Sequence, residues 1–148
     1  MATTTTVTRR PTEAQKPGGD AGRLVLRLAV GILILLHGIA KLSGPLDPIA
    51  GMLAKVGLPG FLAYGVYIGE ILAPILLIVG VWTRAAAVVI AINMVFAVLL
   101  AHSSELFSLG RQGGYALELQ AMFLLAAVAI ALLGAGRFSV GGRYGPMN

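Results

Sequence analysis

Apolar residues fill four stretches of this chain, 24–42, 61–81, 85–101 and 115–133, while polar residues are held to the gaps between them and to a few positions near one end of each stretch. Runs of about 17 to 21 residues, at 1.5 Å per residue, match the roughly 30 Å of hydrocarbon in a bilayer. Lipid supplies no partner for backbone N–H and C=O groups, and the alternating pattern of a membrane barrel is missing, so the runs predict helices. The expected fold is an all-α integral membrane protein, a four-transmembrane-helix bundle. Its connections refine the picture. Trp82, Thr83 and Arg84 make a minimal turn, which makes the second and third helices antiparallel neighbours. In the first long gap Asp47 and Pro48 form an N-cap and first-turn pair, Ile49, Met52, Leu53 and Val56 mark one apolar face, and Gly57 with Pro59 ends the element. This predicts a short interfacial helix in the first outer loop.

Composition agrees: 57% of the 148 residues are hydrophobic, 11% are charged and the mean hydropathy is +0.89, too apolar for a soluble domain. The first run is too long for a signal-peptide core and carries Lys41 where a small-residue cleavage site would lie, so it counts as a span. Residues 1–22, rich in Thr, Gly and Pro without apolar periodicity, are expected to be a disordered tail; 23–139 form the membrane domain and 140–148 a second tail. Arg9, Arg10, Lys16, Arg23, Arg27, Arg84, Arg137 and Arg143 fall on one side of a four-span topology, and Lys41, Lys55 and Arg111 on the other. That bias predicts a multi-pass protein of a bacterial inner membrane with both tails cytoplasmic. The net charge of +5 follows from the same bias and from attraction to anionic lipid, and no basic helix or aromatic platform points to nucleic acid. Arg27, within a turn of the inner boundary, is expected to snorkel to headgroups.

Several chemistries are excluded or demoted. The chain has no cysteine, so it cannot supply a disulfide, a thiolate metal site or an iron–sulfur cluster. His37 and His102 lack any paired ligand spacing, so neither a metal site nor a bis-histidine haem is expected. No phosphate loop, nucleophile elbow or HExxH pattern occurs.

Five ionisable side chains then stand out inside the spans: His37, Lys41, Glu70, His102 and Glu118. A charge at the centre of a membrane helix costs about 2.5 to 3.5 kcal/mol on insertion scales, so such groups invite a functional explanation. Counted from the boundaries at about 1.5 Å per residue, Lys41, His102 and Glu118 lie roughly 5 Å beneath the outer surface, His37 about 10 Å and Glu70 about 14 Å. All four helices contribute to one layer. His37 and Lys41, four residues apart, share a helix face and can address one partner, for which Glu70 is the obvious candidate. For His102 and Glu118, so near the headgroups, ordinary interfacial solvation is the simpler account. Pro74 lacks the N–H that would bond the Glu70 carbonyl, which predicts a kink and a free carbonyl beside the carboxyl group. Gly65, Gly69 and Ala73 form a small-residue stripe suited to close packing, and Asn93 is read as interhelical hydrogen-bond glue.

These residues bring a family into view. Leu36-His37-Gly38-Ile39-Ala40-Lys41-Leu42 resembles the LHGxxKL signature in the first helix of the DoxX family of bacterial inner-membrane proteins. Gly57-Leu58-Pro59, Glu70, Gly80-Val81-Trp82-Thr83-Arg84, His102, Gly113-Gly114-Tyr115 and Glu118-Leu119 follow in the expected order, so the resemblance runs over about residues 23–139. It implies a four-helix membrane protein related to the small membrane subunit associated with thiosulfate:quinone oxidoreductase, with His37, Lys41, Glu70, Arg84, His102 and Glu118 as the positions that matter. A quinone headgroup suits the outer polar layer, because its carbonyls need hydrogen-bond donors and a proton route. Three functions compete: a redox-associated subunit that binds quinone and relies on partner proteins for its electron cofactor, a small transporter that would need to oligomerise, and a scaffold whose polar layer only sets helix register.

Overall fold

The computed structural model describes residues 17–110 and 113–148; Arg9, Arg10, Lys16, Arg111 and the first 16 positions of the expected tail lie outside them. Helix α1 spans Pro17–Leu42, α2 spans Asp47–Lys55, and the second span is built in pieces: a 3-10 turn Gly60–Tyr64, α3 Gly65–Tyr67, a π-helical turn Ile68–Leu72 and α4 Ala73–Val79. Helix α5 covers Thr83–Ala101 and α6 covers Glu118–Leu133. Helices α1, α4, α5 and α6 pack in a closed ring, α1 on α4, α4 on α5, α5 on α6 and α6 back on α1. Their shared core includes Val30, Ile34, Leu77, Ala87, Ile90, Met94, Phe123, Ala127 and Ile130. Leu, Ile and Phe side chains such as Leu36, Phe96, Leu125 and Leu132 cover the outside of the ring, as lipid rather than water would require.

The chain is an all-α membrane protein. Gly18–Leu42, Gly60–Val79 and Thr83–Ala101 are long and apolar enough to cross a bilayer, and α6 is a shorter apolar helix of 16 residues. The expected fourth run starts three residues too early, because Tyr115 is tied into the preceding loop, its hydroxyl donating to the Leu106 carbonyl and its backbone bridging to Leu109. The interfacial helix forms as α2, with Leu53 buried and Val56 exposed, and Gly57 in the left-handed conformation (φ 76°) ends it while Leu58 N–H closes onto Leu53 O. Asp47 is its first helical residue and makes no cap hydrogen bond, so the N-cap reading of Asp47 is corrected to Leu46.

The end of the bundle near residues 20, 80 and 135, the arginine end, departs most from expectation. Residues 17–22 are helical where a tail was expected, because Asp20 is buried in an ion pair with Arg23 (2.9 Å) and faces Arg137 and Arg143 at 3.9 Å. Residues 140–148 are packed against the bundle. Val140 and Gly141 N–H groups donate to Val79 and Gly80 carbonyls, Asn148 Oδ1 accepts from Thr83 N–H at the start of α5, and Asn148 Nδ2 donates to Gly80 O. Arg84 completes this dock, its backbone N–H reaching Met147 O and its Nε reaching Asn148 O. Gly80 (φ 79°) must be glycine here, since a Cβ would strike Ser139 and the Arg27 guanidinium.

Arg27 does not snorkel. It is 1% exposed, and Nε donates to Leu77 O (2.9 Å), Nη1 to Ala135 O and Phe138 O (2.6 and 3.1 Å), and Nη2 to Ile78 O (3.1 Å). The last carbonyls of a helix have no intrahelical donor, so the guanidinium closes the end of α4 and the segment after α6 in one stroke.

Candidate functional site

At the opposite end of the bundle, Gly31 and Gly38 lie seven residues apart on one face of α1, and this face lets the second span approach. A Cβ on Gly31 would crowd Ile78 and the Pro74 carbonyl, and one on Gly38 would collide with the Glu70 carbonyl oxygen. The carbonyl expected to be freed by Pro74 therefore faces the Gly38 backbone and is not a free acceptor for a ligand. The π turn itself answers the proline. Ala73 N–H bonds Ile68 O five residues back, and the widened turn relieves the clash between the Pro74 ring and the carbonyl four residues earlier. The expected glycine stripe is used only in part: a Cβ on Gly69 would run into the Asn93 side chain and Ala73 is buried, while Gly65 faces open space.

These approaches turn Glu70 into the bundle, where it is 4% exposed. Lys41 Nζ donates to Oε1 at 2.5 Å and Asn93 Nδ2 donates to the same oxygen at 3.2 Å. The predicted Lys41–Glu70 pair thus forms, with Asn93 as a third member rather than simple packing glue. Oε2, the second carboxylate oxygen, is buried with no hydrogen-bond partner. An oxygen left in that state costs about 1 to 3 kcal/mol, more when charged, unless something donates to it.

Glu70 forms part of the wall of a cavity of about 160 Å³. His37, Lys41, His102 and Gln120 supply its other polar groups, and Ile34, Met94, Ala97, Leu119 and Phe123 its apolar ones. A cavity of about 150 Å³ accommodates one benzene ring, so the space takes a single six-membered ring. His37 lies edge-on to Phe123, with ring centroids 6.0 Å apart and planes at 81°. Its Nδ1 meets the Leu33 carbonyl at 2.8 Å, and because a carbonyl only accepts, Nδ1 carries the hydrogen. His37 therefore joins Lys41 and Glu70 at the cavity without bonding either. His102 sits at the end of α5 with Nδ1 3.1 Å from Glu105 Oε2, and Gln120 Nε2 donates to its Nε2 at 3.3 Å. The same reasoning puts the hydrogen of neutral His102 on Nδ1.

Of the residues singled out in the sequence, His37, Lys41, Glu70 and His102 come together. Glu118 does not. It is exposed in the first turn of α6 beside Gly114, away from the cavity wall. Arg84 belongs to the arginine end, and Pro74 shapes the helix without lining the space. Asn93 and Gln120 complete the polar set; their spacing offered no signal, and only the π turn and the α5–α6 packing bring them in. Among the described residues no group of three His, Asp or Glu side chains is placed to hold a metal ion.

The comparisons with known proteins rest on this same region. The DoxX family model matches residues 22–103, which carry Lys41, Glu70 and Asn93 but end before α6. A Bacillus subtilis protein named "Putative oxidoreductase CatD" is 28% identical over 115 residues, 78% of this chain and 81% of the relative. An "Uncharacterized protein" of Haemophilus influenzae is 34% identical over 123 residues, 80% of this chain and 87% of that one. No solved structure matches the chain significantly. With more than half of its length under the family model and both relatives covered over four-fifths or more of their own length, this chain belongs to the DoxX family.

Proposed function

We propose that this DoxX-family protein is a redox-associated membrane subunit that holds a quinone-class ring in the Glu70 cavity and works with partner proteins that carry the electrons. The observation that supports this most is Glu70 itself: a buried carboxylate, anchored through one oxygen by Lys41 and Asn93, with the other oxygen lacking a donor at a ring-sized cavity. A pair meant only to set helix register gains nothing from leaving an acceptor open. The fit is chemical as well as spatial. Apolar walls from Ile34, Met94 and Phe123 suit the faces and edges of a ring, while Lys41 can donate to a ring oxygen. The name of the B. subtilis relative adds the redox class. Reduction of a quinone takes two electrons and two protons; in this reading His37, Lys41 and Glu70 bind, orient and exchange protons, and the electrons come from the partner. The arginine-rich end, with Arg23, Arg27, Arg84, Arg137 and Arg143, supports placement in a bacterial inner membrane with that end in the cytoplasm.

The test is saturable protection. A soluble quinone analogue added to the detergent-purified protein should raise its melting temperature, and His37→Leu and Glu70→Leu should each abolish the rise while still melting cooperatively. Unchanged melting of the wild-type chain at saturating analogue overturns the reading.

A further inference from the structure

We infer that the cavity selects the reduced, hydroxyl-bearing form of its ring ligand, a hydroquinone, over the oxidised quinone; this rests on the ring-binding reading above. The argument is a count of donors and acceptors. Glu70 Oε2 is a buried acceptor without a donor. His37 Nδ1 is committed as a donor to Leu33 O, which leaves Nε2 of the neutral ring as a second acceptor at the cavity. Gln120 spends an amide N–H on His102 Nε2, and its carbonyl oxygen remains an acceptor. Against these stands Lys41, whose ammonium already gives one hydrogen to Glu70 Oε1. Acceptors outnumber free donors on the walls.

A quinone carries only carbonyl oxygens. It takes one bond from Lys41 and leaves the Glu70 oxygen as it was, buried and unmatched. A hydroquinone hydroxyl can accept from Lys41 and donate to Glu70 through the same oxygen, and the hydroxyl across the ring can donate to His37 or Gln120. Sites built to bond a ligand hydrogen reject analogues that lack it far more strongly than apolar pockets reject a change of size. The same placement puts two proton acceptors, Glu70 and His37, where the two hydroxyl protons would leave on oxidation to the quinone, with the two electrons passing to the partner protein of the proposed function.

The experiment titrates 2,6-dimethyl-1,4-benzoquinone and its hydroquinone, the latter kept under nitrogen, into the full-length purified protein by calorimetry. The hydroquinone is expected to bind roughly tenfold tighter, the factor that one satisfied buried acceptor supplies. Glu70→Gln is the diagnostic variant, because an amide that keeps its oxygen toward Lys41 and Asn93 presents an NH2 donor in place of Oε2, and the preference should narrow or reverse toward the quinone. Equal affinity for the two forms, or tighter binding of the quinone by the wild-type chain, overturns this inference and leaves the ring-binding site standing. No binding of either form overturns the ring-binding reading and the inference with it. If Glu70→Gln does not fold, His37→Phe removes the second acceptor and should reduce the hydroquinone's advantage; an undiminished advantage counts against the inference.

Discussion

Arg27 and Glu70 are both charged residues buried within an apolar bundle, yet their surroundings are opposite in kind. Every nitrogen of the Arg27 guanidinium donates to a carbonyl, and those carbonyls come from Leu77 and Ile78 at the end of α4 and from Ala135 and Phe138 beyond α6. Glu70 has both donors on one oxygen and none on the other, and a cavity beside it. The first arrangement is closed and ties three parts of the chain together. The second is incomplete in the folded protein and becomes complete only when a further donor arrives. Buried charge in a membrane helix therefore does not announce a binding site by itself; an unanswered hydrogen-bonding atom next to space does.

The contrast can be broken most severely at the closed end. Arg27→Leu strands four buried carbonyls, and at about 1 kcal/mol or more for each it should cost about 4 kcal/mol and lower the melting temperature of the detergent-purified protein by many degrees. Arg27→Lys should recover only part of this, since one ammonium cannot reach all of these acceptors at once. A variant melting within a degree or two of the parent would show that the staple contributes little.

At the open end the effect is smaller and should be reversible by a second change. Lys41→Met leaves the Glu70 carboxylate with Asn93 alone and should cost about 3 kcal/mol; combining it with Glu70→Leu should restore most of the loss. A double-mutant cycle measured by melting reports the coupling directly, and additive single effects would mean that the pair is not an energetic unit. The smallest effect belongs to Asn148→Ala, which removes the acceptor for Thr83 N–H at the start of α5. The loss of a capping acceptor is worth about 1 kcal/mol and should leave ligand protection at the far cavity unchanged. Weakened protection in that variant would tie the two ends together and blur the distinction drawn between them.

Hydropathy and spacing carried much of this protein without tertiary information. Apolar runs of bilayer length require helices because lipid satisfies no backbone group, so the bundle, the interfacial helix and the tight turn at Trp82 could be read directly. The i, i+4 relation of His37 and Lys41 placed both on one face, and the depth of Glu70 matched them, so the Lys41–Glu70 pair was legible too. Glu118 failed because depth along a span says nothing of direction around a helix axis, and in the first turn of α6 it points away from the cavity. Arg27 failed for a related reason: nearness to a boundary permits snorkelling, but carbonyls stranded at the end of α4 offer a guanidinium better partners than headgroups do.

Sequence alone was enough for the class of the molecule and the identity of its central ion pair, because hydrocarbon thickness and helix periodicity are properties of any such chain in lipid. The folded bundle decided the rest: the π turn that answers Pro74, the contact of Gly38 with the Glu70 carbonyl, the recruitment of Asn93 and Gln120, the docking of residues 140–148, and the one carboxylate oxygen left without a donor. Each of these depends on which backbone groups approach across helices distant in sequence, and local pattern does not encode such approaches.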